Sequence, residues 1–189
     1  MDKILIVVDM QNDFIDGALG TPEAQDIVPE VWEKIKNWDS PHILYTMDTH
    51  IREFYVRSVE GEKVPFHCDM DSKGWQINPY VWNALIEFSL EKYENRIRQI
   101  EKDTFVGFEI QPYIDEDIEP ENPFEIEIVG FCTDICVISN ALFLRSLYPM
   151  AKIVVDAACC AGTTKENHIA ALNVMKANCI EVKNMEVAL

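Results

Sequence analysis

One cysteine of the six in this chain sits where a thiol can do chemistry. Cys136 closes the stretch Gly130-Phe131-Cys132-Thr133-Asp134-Ile135-Cys136-Val137. Before it, Phe124 to Val129 alternates in its first half and is apolar at its end, which reads as a buried strand closing on Gly130. After it, Val137 to Tyr148 is an apolar run stopped by Pro149, which reads as a buried helix. A strand, a glycine turn and a helix put Cys136 at a helix N-terminus. Unpaired backbone N–H groups and the positive end of the dipole converge there. A thiol so placed is expected to be pushed toward thiolate, the nucleophilic form. The same N–H groups suit the oxyanion formed when a thiolate attacks a carbonyl. Inert packing is the commoner fate of an intracellular Cys, and two further residues reverse that preference. Asp9 offers a carboxylate as general base, against the plainer role of capping the loop that follows it. Lys102 offers an ammonium that would hold Asp9 ionised and stabilise a thiolate or an anionic intermediate, where a lone Lys would read as a surface residue. Together the three make a Cys-Asp-Lys relay for acyl transfer.

These groups need a frame that brings distant parts of the chain together. Lys3 to Val8 is a β-branched run, too short for a helix, with Asp9 at its carboxyl end, and reads as a central strand covered on both faces. Gln11 to Thr21 reads as a loop and Ile27 to Trp38 as a helix of regular apolar period. His42 to Met47 is a second strand, ending on Asp48. Thr49 to Asn78 is a long irregular stretch, of a length that usually carries function in a compact domain. Pro79 to Glu87 reads as a short helix, with Pro in its first turn. Arg96 to Glu101 reads as a strand that delivers Lys102. Gly107 to Ile118 reads as a helix running into an acidic loop. Ala151 to Val155 reads as a strand ending on Asp156, Thr164 to Ala177 as a helix, and Cys179 to Val182 as a last strand. Strands alternating with helices predict an α/β fold with a mostly parallel sheet. In open sheets of this kind ligands sit beyond the carboxyl ends of the strands, where Asp9, Asp48, Lys102 and the Cys136 turn all fall.

Composition bounds the function. At 189 residues, the whole chain is expected to form a single domain with a full core. The hydrophobic share of 48% and charged share of 26% are those of a globular protein. With 16 Lys and Arg against 33 Asp and Glu, the net charge of -17 disfavours nucleic acid and anionic membranes as partners. The N-terminal apolar run is too short for a signal peptide, and no stretch reaches membrane-spanning length. A cytoplasmic location is therefore expected, with the cysteines as free thiols rather than a disulfide framework.

Three segments then carry a family resemblance. Asp9-Met10-Gln11-Asn12-Asp13-Phe14, Lys102-Asp103-Thr104-Phe105 and Gly130 to Val137 resemble, in order, the signatures of the isochorismatase-like cysteine hydrolases, a superfamily that includes the nicotinamidases. The resemblance spans the chain from residue 4 to about 182. It implies a three-layer αβα sandwich with a six-stranded, mostly parallel sheet. It implies Asp9, Lys102 and Cys136 as the triad, oxyanion donors at the N–H groups of Cys132 and Cys136, and a non-proline cis peptide before Cys132. Asp48-Thr49-His50 and Pro65-Phe66-His67-Cys68 resemble nicotinamidase metal segments. They imply Asp48, His50 and His67 as ligands of a divalent ion, with Glu60 as the fourth and Glu62 as fallback. Two imidazoles and carboxylate suit zinc first, with iron or manganese as alternatives. Phe14 matches a ring-stacking position. Trp75 would either wall the pocket or pack under the loop, and the bulky Phe131 and Ile135 would narrow or line it. The chain departs from many nicotinamidases at Val64, where an aromatic residue is common.

The implied activity is cysteine-dependent hydrolysis of a small carboxamide, nicotinamide by preference, through a thioester. A carbamoyl or ureido amide is the second enzymatic reading. Isochorismate vinyl-ether hydrolysis is disfavoured, because it does not need the Cys. A non-catalytic thiol sensor built on Cys132, Cys136 and the Cys159-Cys160 pair is the alternative from another class. The resemblance also implies a homo-oligomer.

Overall fold

The computed structural model describes residues 2–91, 97–119 and 122–186. The β-branched run at the start of the chain becomes a middle strand of the sheet. β1 (Asp2–Val8) pairs in parallel with β2 (His42–Asp48) on one side and β4 (Phe124–Phe131) on the other. β3 (Ile97–Lys102) lies outside β2, and β5 (Lys152–Ala161) and β6 (Glu181–Lys183) follow β4. The six strands run in the order β3-β2-β1-β4-β5-β6, and every pairing among them is parallel. Parallel strands need crossover connections, and helices supply them on both faces.

One face carries α1 (Asn12–Ile15), α2 (Pro22–Asp26), α3 (Val28–Lys36) and α5 (Pro79–Glu91), whose buried residues pack on Leu5, Val7, Ile43 and Val129. The other carries α6 (Ile110–Asp117), α7 (Ile138–Leu147) and α8 (Lys165–Ala177), packed on Ile4, Ile6, Ile126 and Ile128. The two apolar layers lie on alternate residues of β1, as a strand buried on both sides requires. The result is the αβα sandwich. Between β2 and α5 the chain wanders, with only the four-residue α4 (Arg52–Tyr55) and an isolated bridge from His50 to Asp69. Among the described residues no helix is long and apolar enough to cross a membrane.

Several boundaries differ from the sequence reading. The loop from Gln11 contains α1. α5 runs on to Glu91, four residues past the expected end. Arg96, expected to open β3, lies outside the described residues. Asp156 does not end its strand: β5 continues through the Cys159-Cys160 pair to Ala161. Its far half pairs with β4 beyond an irregularity, Gly130 opposite Cys160 and Phe131 opposite Ala161. Small residues have little strand preference of their own, so only the neighbouring strand reveals this continuation. β4 likewise passes Gly130 by one residue. Gly130 has φ +120, and a Cβ there would lie 2.1 Å from the carbonyl oxygen of its register partner Val8. Glycine is what lets β4 pass this close to the end of β1.

Candidate active site

Strand register assembles the charged centre. Asp48 and Lys102 are direct partners in the β2–β3 ladder, at the carboxyl ends of both strands. Their side chains meet with Nζ 3.1 Å from Oδ1. Asp9 follows β1, its backbone turned into the left-handed region at φ 48. A non-glycine residue held there is uncommon, and such positions concentrate at functional sites. Thr46 of β2 holds it in place, donating from Oγ1 to Asp9 Oδ1 at 2.5 Å and accepting the Asp9 N–H at 3.1 Å. The other oxygen, Oδ2, stands 2.7 Å from Lys102 Nζ and has no aligned hydrogen-bond donor. Lys102 Nζ is also 3.5 Å from Cys136 Sγ.

Burial sets the protonation of the three. Asp9 is wholly enclosed, which lifts its carboxyl above the usual range against the pull of Lys102. Burial works against the Lys102 charge, but Asp9, Cys136 and Asp48 together hold it an ammonium, well above its ordinary value. The Cys136 thiol is pushed up by burial, with the Lys102 ammonium opposing and the two carboxylates adding to the rise. This corrects the expectation of a spontaneous thiolate. The resting sulfur carries its proton and needs a base to remove it, and a carboxyl with a raised pKa is better matched to that task.

Cys136 does not sit in the first turn of an α-helix as expected. A π-helical turn, Thr133–Val137, precedes α7, closed by Val137 N–H donating to the Cys132 carbonyl at 3.0 Å. Such turns are frequent where function requires a local departure from the regular helix. The peptide bond between Phe131 and Cys132 is cis. Asn140, buried one turn later, fastens this turn to the loop after Lys102. Its Nδ2 donates to the carbonyls of Cys136 at 2.8 Å and Phe105 at 3.0 Å, and its Oδ1 accepts the Gly107 N–H at 2.9 Å.

The irregular loop contributes a second cluster beside the first. Donor atoms of Asp48, His50, Glu60 and His67 all lie within 4.8 Å of one another. Asp48 Oδ2 faces His50 Nε2 at 2.9 Å and His67 Nε2 at 3.0 Å, and Glu60 Oε1 is 3.9 Å from His67 Nε2. His67 Nδ1 lies 2.9 Å from the Pro65 carbonyl. A neutral His67 donating there would present a bare lone pair at Nε2 to the lone pairs of Asp48. A proton or a cation between them removes that conflict. The donor set therefore fits a divalent ion, and the backbone carbonyl orients the imidazole as such sites require. Glu62, the fallback ligand, is exposed and outside the cluster.

A cavity of about 250 Å³ joins the two clusters. Cys132, Cys136, Asp48, Glu60 and His67 line it together with Phe14 and Phe131. The two Phe rings have centroids 5.7 Å apart and are tilted by 41°. Val64 and Phe105 complete much of the apolar lining.

The family model for the isochorismatase domain matches residues 3–187. The chain belongs to the isochorismatase-like hydrolase family. No curated protein sequence matches it. It is similar in fold to the pyrazinamidase of Pyrococcus horikoshii, solved in complex with zinc, at 25% identity, TM-score 0.73, and coverage of 96% of this chain and 98% of that one. The pyrazinamidase/nicotinamidase of Streptococcus mutans shares 24% identity at TM-score 0.77, over 96% and 99% of the two chains. The N-carbamoylsarcosine amidase of Thermoplasma acidophilum shares 22% at TM-score 0.73, over 97% and 96%.

Set on the isochorismatase-like frame, Asp9, Lys102, Cys132 and Cys136 converge, as do Asp48, His50, Glu60 and His67, and Phe14 and Phe131 wall the cavity. Trp75 does not reach it. Its Nε1 donates to Thr49 Oγ1 at 2.8 Å and its ring packs against the core under the loop. Supporting residues went unassigned by the sequence reading. Gln11 is wholly buried: it donates to the carbonyls of Asp48 and Trp75, both at 2.8 Å, and accepts the Asp48 N–H at 2.7 Å. Asp13 accepts the Cys68 N–H at 2.7 Å, anchoring the segment that carries His67. Both lie in the Asp9 motif, whose family resemblance did not show what they hold. Asn140 sits in an ordinary apolar helix and carried no signal beyond being polar there.

Proposed function

We propose that the protein is a cysteine-dependent amidohydrolase whose preferred substrate is nicotinamide, cleaved to nicotinate and ammonia. The observation that carries this reading is the single ammonium shared between base and nucleophile: Lys102 Nζ is 2.7 Å from Asp9 Oδ2 and 3.5 Å from Cys136 Sγ. Asp9 takes the Cys136 proton as the sulfur attacks the amide carbonyl carbon. The N–H groups of Cys132 and Cys136 receive the oxyanion. Asp9 then returns the proton to the amide nitrogen, the C–N bond breaks and ammonia leaves, with the acyl group held as a thioester. Asp9 next accepts a proton from water as it adds to the thioester. Asp9 passes that proton to the sulfur as the C–S bond breaks, so the acid product leaves and the thiol and the Asp9 carboxylate are restored. Lys102 keeps the charge of this exchange balanced throughout.

Phe14 and Phe131 supply apolar walls for a flat ring in the cavity. Asp48, His50, Glu60 and His67 would hold a divalent ion, zinc by its donor chemistry, with iron or manganese as alternatives. When bound, such an ion supplies a Lewis-acid contact for a ring nitrogen. The Val64 side chain on the cavity, where many nicotinamidases carry an aromatic residue, favours a second reading, a small carbamoyl or ureido amide with no ring to stack. A thiol sensor is served less well. Cys159 and Cys160 are both buried, and they pack into the cores on opposite faces of the sheet.

The test is ammonia release across a panel of amides, with and without chelator, for the wild type and Cys136→Ala. Turnover of nicotinamide that vanishes in Cys136→Ala supports the reading. Turnover of ureido amides alone replaces the substrate and keeps the relay. Failure to cleave any amide, with the thiol intact, sinks it.

A further inference from the structure

Two consecutive residues of the nucleophile turn reach across to the junction of β5 and α8, which the reaction as described does not use. Thr133 Oγ1 lies 2.8 Å from His168 Nδ1, and both residues are buried. Asp134 accepts the Thr163 N–H at 2.8 Å and its hydroxyl at 2.5 Å. Gly162 makes the approach possible. A Cβ there would stand 2.9 Å from the backbone N and from the Cβ of His168, and 3.0 Å from Asp134 Oδ1.

The second ring nitrogen, Nε2, is buried with no hydrogen-bond partner among the described residues. Buried imidazoles ordinarily satisfy both nitrogens. The ring also borders a separate cavity of about 340 Å³, lined from α2, α3, β5 and α8, so space is open beside it. Among the described residues the hydrogen bond to Thr133 is thus the one polar contact of this imidazole, with room for the ring to move if that bond is lost. Burial also lowers the pKa of His168, favouring the neutral ring, which can donate to or accept from a hydroxyl.

We propose that His168 is a positioning residue: through its hydrogen bond to Thr133 it holds the turn carrying Cys132 and Cys136 in the conformation that aims the sulfur at the substrate carbonyl. This rests on Cys136 being the nucleophile. His168 does not line the substrate cavity, so its loss acts on kcat rather than on KM. Small misplacement of a nucleophile by a distant change costs up to about 100-fold in rate.

The experiment uses His168→Leu, His168→Asn, Thr133→Val and the Leu/Val double variant. Each is assayed for kcat and KM, for thermal stability, and for the rate at which iodoacetamide alkylates Cys136, followed by peptide mass. His168→Leu is expected to lower kcat by about 10- to 100-fold with KM nearly unchanged, and alkylation falls in parallel. Thr133→Val does the same, and the double variant is no worse than the poorer single one, because both remove one bond. His168→Asn, whose amide can take the place of Nδ1, recovers most of the loss. Additive losses, an Asn variant no better than Leu, or a fall in thermal stability with kcat of the folded protein unchanged would each overturn the proposal. If His168→Leu does not fold, the near-isosteric Thr133→Val carries the test alone. A wild-type Cys136 that neither alkylates nor turns over amide removes the nucleophile reading itself. Normal reactivity, untouched in every variant, removes only the role of His168.

Discussion

The molecule contains two buried clusters built to the same recipe, one lysine between two carboxylates. In one, Lys102 lies 2.7 Å from Asp9 and 3.1 Å from Asp48. In the other, Lys34 of α3 lies 2.6 Å from Glu127 on β4 and 2.7 Å from Asp156 on β5. The second cluster is saturated. Lys183 adds a second ammonium 3.3 Å from Glu127, and Asp156 also accepts from Asn184 at 2.8 Å and from the Ala158 N–H at 3.2 Å. Every carboxylate oxygen there has a partner, and the charges balance. The first cluster is instead short of positive charge. Its single ammonium faces two carboxylates, one oxygen of Asp9 has no aligned donor, and Asp48 turns its other oxygen to two imidazoles. A balanced network fastens a helix to a sheet. One short of positive charge keeps an acceptor for a proton and a surplus of negative charge for a cation. The same residue types therefore stand in two settings, one suited to structure and one to the proposed chemistry, and the difference lies in the balance of charge around them.

Replacing the two lysines tests this contrast most directly. Lys102→Met is expected to lower kcat/KM by about 1000-fold or more, since it removes the charge that balances both base and sulfur. Lys34→Met is expected to leave kcat of the folded enzyme unchanged and to cost about 3 kcal/mol of stability, by stranding buried carboxylates. Steady-state kinetics beside urea unfolding measures both. A Lys34 variant with impaired chemistry, or an active Lys102 variant, would erase the distinction. The surplus charge at the first cluster makes the next prediction. His50→Ala should weaken binding of zinc by about 100-fold or more, read by competition with a chromogenic chelator. Binding equal to the wild type would mean that the four donors are not a metal site.

The smallest effect concerns pH. Asp9 must be ionised to accept the thiol proton, and burial raises its pKa above the ordinary 3.8. As pH falls through that raised value the base becomes protonated, so kcat/KM declines on an acid limb lying above the usual carboxylate range. The Thr46 hydroxyl favours the carboxylate form, so Thr46→Val should move the limb to higher pH. An acid limb at or below 3.8, or one shifted downward by the variant, would contradict the assignment of Asp9 as base.

Much of this was legible in the chain. The run Lys3 to Val8 reads as a strand covered on both sides, and alternation with helical segments orders the rest into a parallel sheet. That order puts Asp9, Asp48 and Lys102 at one end of the sheet, and residue type supplies acid, base and sulfur. The histidines of the long loop stood out only through their resemblance to nicotinamidase metal segments. What the sequence could not carry is whatever depends on burial and register. The position of the Cys136 turn pointed toward an easily ionised thiol, yet enclosure raises its pKa, because desolvation comes from neighbours far away in the chain. Trp75 reads equally well as wall or prop until the fold turns its indole to Thr49. The small residues after Asp156 become strand only because β4 lies alongside, and that extension brings Gly162 and His168 against the nucleophile turn. Periodicity and residue chemistry are local, so the chain alone determines elements and candidate groups. Charge balance and solvation are properties of the assembled interior, and there the tertiary structure decided what surrounds Lys102, the proposed catalytic lysine, and what surrounds Lys34.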